Sequence, residues 1–227
     1  MVARILPFAV YLSFLVIVQV IPSLIATSAS QSGWAGYIDL WLYPIKTAAV
    51  LALLIYFWPQ YRELKDKVIN GVGEAVLTIA VGLLVYAAGV RMDWSWALQG
   101  DGAAQGYDPF RTGIGTGIAL AGIRIFGASV VVPIMEELFW RSFLIRYLIS
   151  SKWDSVALGA FSVFSFITTV ILFGLEHDLW FAGMMAGVAY TGLLYYTKRL
   201  WPCILAHAVT NLALGIHVLV TGEWRWW

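Results

Sequence analysis

The 227-residue chain is 61% hydrophobic and only 12% charged, with a formal net charge of +1 and a mean hydropathy of +0.80. A globular domain in water carries about twice that share of charged residues, and so small a net charge gives no electrostatic basis for nucleic-acid binding. The one cysteine, Cys203, excludes an intrachain disulfide and a cysteine-rich metal cluster. We therefore predict a single all-α integral membrane domain over residues 1–227, a polytopic bundle of transmembrane helices.

Seven apolar runs are each predicted to form a transmembrane helix, because a span needs about 20 mostly apolar residues. Lipid also leaves no partner for unpaired backbone groups, which favours helices. In chain order the runs are residues 5–26, 41–58, 72–90, 113–149, 155–175, 179–197 and 201–221. The first run also fits a cleaved signal peptide, although it is longer than the usual apolar core of one. Tryptophans lie at the ends of most runs, where the headgroup layer favours them.

The fourth run, residues 113–149, is too long for a single straight crossing. As one helix it would measure roughly 55 Å at 1.5 Å per residue. Pro133 lacks a backbone donor and is predicted to kink or break the helix nearby. The run is therefore one span with a part along the interface, or two spans, giving eight. Basic residues follow the second, fourth and sixth runs, and seven spans with a cytoplasmic N-terminus place them all in the cytoplasm, which favours seven.

Charged residues inside an apolar span are costly and are therefore candidates for function. The first group is Glu136, Glu137 and Arg141 in the fourth run. Glu137 and Arg141 are spaced i, i+4 and are predicted to pair on one helix face. Glu136 points about 100° away, has no local partner and can act as a general base in a site of low dielectric. The alternative is that all three form a buried packing network.

Two further groups carry polar side chains suited to proton transfer and to hydrogen-bond donation. His177 follows the fifth run, and its imidazole suits proton transfer near neutral pH, although a histidine there can also simply face water. Its neighbours Glu176 and Asp178 are interpreted as solvated loop charges. His207 and Asn211 are spaced i, i+4 and share a helix face. Both can donate to an oxyanion, or they can bond neighbouring membrane helices together.

These side chains lie on three different spans, and no serine or cysteine stands out as a nucleophile beside them. The chemistry that fits is peptide hydrolysis by a water that Glu136 activates, with His177 sharing the proton and with His207 and Asn211 holding the oxyanion. Glu136, His177 and His207 can also bind zinc, although no His-Glu-x-x-His helix is present. A membrane scaffold or transporter is the third hypothesis, which the lack of visible symmetry between the halves weakens.

The three motifs together resemble the signatures of a known family. Glu136-Glu137-x-x-x-Arg141, Phe173-x-x-x-His177 and His207-x-x-x-Asn211 are similar, in this order, to those of the CAAX protease and bacteriocin-processing family, also called the abortive-infection family. The resemblance covers roughly residues 129–214, within a predicted catalytic half of residues 113–221. It implies a glutamate-dependent intramembrane endopeptidase without a metal or other cofactor. In it Glu136 would be the base and His177 its partner. His207 and Asn211 would form the oxyanion site, and Glu137 and Arg141 a supporting pair.

The surroundings of the first motif refine this expectation. The family usually has glycine after the motif arginine, where this chain has Ser142, a difference that bears on substrate fit. Residues 131–135 resemble a bacterial subgroup found alongside exosortase sorting systems, which implies a prokaryotic plasma membrane. The implied partners are the lipid bilayer and a membrane-associated protein or peptide substrate, prenylated or sorted. We also predict a polar cavity around the site that opens to water on one side.

Overall fold

A computed structural model of the chain describes residues 1–25, 37–99 and 106–227. These residues form seven helices and no strand, which confirms the predicted all-α bundle. The helices are α1 (Val2–Ile25), α2 (Ile38–Phe57), α3 (Val72–Gly89), α4 (Ile114–Tyr147), α5 (Val163–Leu175), α6 (Trp180–Thr197) and α7 (Leu200–Thr221). Each overlaps one predicted run. The predicted end of the first run, residue 26, lies outside the described residues.

Four of the helical segments are long and apolar enough to cross a membrane: Ile38–Gln60, Val72–Gly89, Ile114–Tyr147 and Leu200–Thr221. The fourth predicted run is one continuous helical segment of 34 residues, so the alternative of two separate spans there is wrong. At 1.5 Å per residue this segment is about 50 Å long. It exceeds the roughly 30 Å hydrocarbon core of a bilayer, and α4 therefore reaches beyond it or tilts.

The fifth predicted run differs most from the structure. The helix begins at Val163 and not at residue 155, because Ser162 caps it by accepting a hydrogen bond from the backbone N–H of Ser165. The preceding residues include a short 3₁₀ turn at Trp153–Ser155. With 13 residues, α5 is only about 20 Å long, shorter than the hydrocarbon core of a bilayer. The residues that follow α5 can therefore lie at the depth of the membrane interior.

The main apolar core lies where α4 is surrounded by the other helices. Helix α1 packs against α2 and α4, α3 packs along α7, and α5 pairs with α6. Helices α6 and α7 form a tight antiparallel pair, because only Lys198 and Arg199 separate them and Lys198 adopts the left-handed conformation that ends α6. Phe8, Val50, Trp140, Phe173 and Tyr190 are among the buried members of this core, so the motif-bearing helices meet at its centre.

Ser142, the residue that follows the motif arginine, lies in a buried polar network and not at an open surface. Its side chain is fully buried, and its hydroxyl accepts hydrogen bonds from Arg4 Nε at 3.1 Å and Arg146 Nη2 at 2.8 Å. It donates to Glu63, which also pairs with Arg4 Nη2 at 2.6 Å. The serine therefore connects α1 and the segment after α2 to the helix that carries the first motif.

This network predicts a loss of stability in acid. Burial by itself raises the pKa of Glu63, but hydrogen bonds from Arg4 and Ser142 and the charge of Arg4 bring it below its ordinary value of 4.5. A carboxyl whose pKa is lowered by folding stabilises the protein above the unfolded pKa, and this stability is lost as the pH falls through the folded pKa. The midpoint temperature of thermal unfolding in detergent should therefore decrease as the pH is lowered below about 4.5.

The Glu63→Gln variant should unfold at a lower temperature than the wild type at pH 7 and should lose less on acidification. Asp66→Asn is the matched control, because Asp66 is a nearby exposed carboxylate. Its unfolding midpoint should follow the wild type at every pH. A Glu63→Gln protein with the same acid dependence as the wild type would contradict the assignment.

Candidate active site

Glu136 and Glu137 lie in the part of α4 between two π-helical turns. The turns are Gly127–Val131 and Leu138–Leu144, and the segment Val132–Glu137 between them is α-helical. A π turn holds one residue more than an α turn and occurs frequently at functional sites. Both glutamates are almost completely buried, with Glu136 4% and Glu137 0% exposed. The helix therefore directs two adjacent carboxylates into the protein core and not into lipid.

Pro133 does not break α4, but it leaves the carbonyl group of Ala128 without a backbone hydrogen-bond donor. In the first π turn the N–H of Val132 bonds to the carbonyl of Gly127, five residues earlier. In this register the carbonyl of Ala128 would accept a hydrogen bond from the backbone N–H of residue 133, but proline has no N–H. Asn211 Nδ2 donates to that carbonyl at 2.8 Å. The proline thus leaves an acceptor in α4 that fixes the motif asparagine of α7.

Glu137 joins the first and third motifs. Its Oε1 atom accepts hydrogen bonds from Arg141 Nη1 at 3.2 Å and from His207 Nδ1 at 3.0 Å. All three side chains are buried, and those of Glu137 and Arg141 are fully so. Because a carboxylate only accepts hydrogen bonds, Nδ1 of His207 carries a proton. Glu137 therefore orients the His207 ring as well as pairing with Arg141.

Glu136 lies on the other side of the His207 ring. Its Oε2 atom is 3.9 Å from His207 Nε2, too far for a hydrogen bond. Within the described part of the chain this buried oxygen has no hydrogen-bond partner. A carboxylate oxygen in this situation is available to accept a proton from a bound water molecule.

Phe173, the first residue of the second motif, lies at the centre of the site. Its ring centroid is 4.7 Å from that of His177 and 6.1 Å from that of His207. The guanidinium carbon of Arg141 lies 4.1 Å from the same centroid, an attractive cation–π arrangement. One aromatic ring thus contacts residues from all three motifs and holds α4, α5 and α7 together.

The position of His177 follows from the short α5 and its close contact with α6. Its Nδ1 atom lies 2.7 Å from the carbonyl oxygen of Phe173. Because a carbonyl only accepts, Nδ1 carries the proton and Nε2 keeps its lone pair. A Cβ atom on Gly174 would lie 2.3 Å from Met184, and one on Gly183 would lie 3.2 Å from His177 Cβ. Only glycine permits so close an approach of α5 and α6 beside His177.

The structure brings the predicted residues together, some directly and some through an intermediate residue. Glu137, Arg141 and His207 are joined by direct hydrogen bonds, and Glu136 lies beside His207. The other two residues are each connected to the site through one intermediate residue. His177 is held through Phe173, and Asn211 through Ala128.

Two residues of the site were not predicted from the sequence. Trp140 Nε1 donates to Glu176 Oε2 at 3.1 Å, and the other carboxylate oxygen of Glu176 is buried without a partner among the described residues. The interpretation of Glu176 as a solvated loop charge is therefore wrong. Its position next to His177 was the available signal, but only the contact with Trp140 shows which way it points.

Two cations inside apolar spans were also overlooked, although a charge in such a run is itself a signal. Lys46 is buried, and its Nζ lies 4.0 Å from the ring centroid of Tyr11. The guanidinium carbon of Arg124 lies 4.2 Å from the centroid of Tyr43. Cation–π contacts stabilise both side chains away from water. Lys46 also lies near enough to Glu136 for the two side chains to interact electrostatically.

The predicted polar cavity around Glu136 is not one of the two cavities described in the structure. One, of about 410 Å³, is an apolar groove between α4 and α7 lined by Ser129, Val130 and Ala208 among others. The other, of about 470 Å³, lies beside Arg4 and Trp153. In residues 1–25, 37–99 and 106–227 no three His, Cys, Asp or Glu side chains are placed to hold a metal ion. The candidate zinc ligands are therefore not arranged for tetrahedral binding.

Residues 119–213 match the family model described as Type II CAAX prenyl endopeptidase Rce1-like. The matched range contains every residue of the three motifs, and it includes most of α4, all of α5 and α6 and the first part of α7. No curated protein and no solved structure matches the chain. The match confirms the resemblance found in the motifs, while the exosortase-associated subgroup stays a prediction.

Proposed function

We propose, from the match of residues 119–213 to the Rce1-like CAAX prenyl endopeptidase model, that the chain is a protease of this family and hydrolyses a peptide bond of a membrane-associated protein with a water activated by Glu136. The supporting observation is the buried Glu136 Oε2, which has no hydrogen-bond partner within the described residues and faces the His207 ring. A protease that uses water needs a base at the point of attack. Glu137 also has an oxygen without a partner, Oε2, but its Oε1 is bound to Arg141 and His207, which leaves Glu136 as the carboxylate of the motifs without such a commitment.

In the proposed reaction a water molecule transfers a proton to Glu136 as its oxygen attacks the scissile carbonyl carbon. His177 Nε2, which keeps its lone pair, can share that proton. The carbonyl oxygen becomes an oxyanion, which needs donors already in place. Asn211 Nδ2 has a second N–H beyond the one given to Ala128. His207 can donate through Nε2 when both ring nitrogens are protonated, because Nδ1–H is already used by Glu137.

Glu137 and Arg141 serve this reaction by orientation. A carboxylate on Nδ1 fixes the rotation of the His207 ring and with it the direction of Nε2. Arg141 balances the charge of Glu137 in a site where neither side chain reaches water. We therefore propose them as a supporting pair and not as groups that touch the substrate.

The apolar groove between α4 and α7 supports a substrate that carries a lipid chain. It lies on the two helices that carry Glu136 and His207, and its lining is almost entirely apolar. We propose a membrane-associated substrate, prenylated or sorted, in a prokaryotic plasma membrane, with the N-terminus of the chain in the cytoplasm. The lipid bilayer is then both the solvent of the enzyme and the source of its substrate.

The test uses purified protein reconstituted in lipid vesicles with matched prenylated and unprenylated peptides. Cleavage in water enriched in oxygen-18 should place one heavy oxygen in the new carboxylate, as mass spectrometry of the products would show. Prenylation should lower KM, and strong chelators should leave the rate unchanged because the proposed base needs no metal ion. Loss of activity on chelation, restored by zinc, would instead favour a zinc hydrolase. No cleavage of either peptide would contradict the proposed substrate class.

A further inference from the structure

Glu176 brings a second carboxyl group with a buried oxygen to the site. Trp140 lies four residues after Glu136 on α4, and its Nε1 donates to Glu176 Oε2 at 3.1 Å. Glu176 lies near enough to Glu136 for the two carboxyl groups to interact electrostatically. Each glutamate has one buried oxygen without a hydrogen-bond partner in the described part of the chain, Oε2 of Glu136 and Oε1 of Glu176. The site therefore contains two carboxyl groups, on α4 and after α5, that each keep one buried oxygen free of hydrogen bonds within the described residues.

The proposed hydrolysis also requires that a proton reach the leaving nitrogen. Glu136 takes a proton from the attacking water and shares it with His177, and His207 and Asn211 are occupied with the oxyanion. An amine leaves a tetrahedral intermediate only when its nitrogen is protonated, so peptide cleavage needs a general acid on the side of the leaving group. Two carboxyl groups held close together disfavour double ionisation, so that one of them keeps a proton.

We propose that Glu176 is the general acid that protonates the leaving nitrogen, with Trp140 as the positioning residue that directs it. The proposal rests on the hydrolysis at Glu136 proposed above. Glu176 enters the reaction as a neutral carboxylic acid that accepts from Trp140 through Oε2, and its Oε1 carries the proton towards the substrate.

The step balances without any additional reactant. The attacking water forms the new C–O bond and gives one proton to Glu136. The oxyanion collapses, the C–N bond breaks, and the nitrogen takes the proton of Glu176, which becomes a carboxylate. The proton on Glu136 then passes to Glu176, directly or through a water molecule, and both return to their starting state. The net reaction consumes one water molecule and produces one carboxylic acid and one amine.

The surroundings of Glu136 and Glu176 favour a proton held by the pair. Burial disfavours a negative charge on either carboxyl group. Arg141 acts on both, so it favours one negative charge on the pair without fixing which glutamate carries it. Trp140 holds Glu176 in one direction through its hydrogen bond to Oε2, which suits a group that delivers a proton to a fixed position.

The experiment compares two substrates of the same sequence, one with the scissile amide and one with a thioester in its place. A thiolate leaves without a proton, because its ordinary pKa is about 8.5, whereas an amine does not. Glu176→Gln should lower kcat for the amide by about 10²-fold and change thioester hydrolysis by less than about threefold. Trp140→Phe should lower amide cleavage selectively by a smaller factor, since Glu176 remains but loses its hydrogen bond.

Asp178→Asn is the matched control, because Asp178 is an exposed carboxylate two residues further along. It should leave both rates unchanged. Equal loss on the amide and the thioester in Glu176→Gln, or full amide activity, would overturn the proposal. Glu136→Gln separates failure of the Glu176 proposal from failure of the proposed hydrolysis. Attack by water is needed for both substrates, so this variant should lose activity on the amide and the thioester together. Thermal unfolding of each variant separates loss of chemistry from loss of fold.

Discussion

Replacing Glu136 with glutamine should reduce peptide cleavage by about 10⁴-fold while leaving the fold intact. Glutamine has nearly the same shape but cannot accept a proton from water. The fold should persist because Glu136 Oε2 has no hydrogen bond to lose within the described residues. A buried carboxylate without full compensation also carries a desolvation cost that the amide largely avoids. The variant should therefore unfold at the same temperature as the wild type or slightly above it.

Initial rates of peptide cleavage in vesicles, together with unfolding in detergent, measure both parts of this expectation. Glu223→Gln is the matched control, because the side chain of Glu223 is 45% exposed in a pair with His217 and lies beyond the end of α7. That variant should cleave at the wild-type rate. Substantial cleavage by a folded Glu136→Gln protein would remove Glu136 from the mechanism.

Replacing Arg141 with methionine should lower the free energy of unfolding by about 3–5 kcal/mol. The change leaves Glu137, which is fully buried, without its cation, and a buried charge is costly when its partner is removed. It also removes the guanidinium from the ring of Phe173. The cleavage rate of the fraction that still folds should fall as well, because Arg141 would no longer balance the charge of Glu137, the residue that orients His207.

Unfolding in denaturant measures the stability of this variant. The double variant Glu137→Leu with Arg141→Met should recover part of the lost stability, since removing both charges of a buried pair is often nearly neutral. Arg225→Met is the control, because the Arg225 side chain is 53% exposed in its pair with Asp93. Its effect should stay below about 1 kcal/mol. A similar small effect at Arg141 would show that the buried pair contributes little to the fold.

The helices and one pair of the site follow from local sequence patterns. Apolar runs bounded by tryptophans and charges predict all seven helices, because a bilayer sets both the length and the backbone pairing of what it encloses. The i, i+4 spacing of Glu137 and Arg141 likewise predicts their pairing within one helix. The family signatures predict that Glu136 and His207 belong to one site.

The remaining features depend on contacts between residues far apart in the chain. Ser142 bonds to Arg4 and Glu63, so a small change beside the motif proves to be a connection to α1. Glu176 follows an apolar helix as any loop charge does, and only Trp140 of α4 reveals its direction. The late start of α5 depends on the Ser162 cap, which the hydrophobic pattern of residues 155–175 conceals. These features depend on tertiary packing, which local sequence propensities do not predict.

The π turns in α4 affect how related sequences should be aligned and drawn. Each is equivalent to an α-helix with one inserted residue, so a helical wheel drawn through Gly127–Val131 with a uniform step falls out of phase by about 100°. Deleting one residue from this turn would restore α-helical pairing between the same flanking residues and leave Glu136 in about the same direction relative to Arg124. An alignment that opens a one-residue gap here therefore describes two helices that direct the Glu136 side chain alike although their residue counts differ.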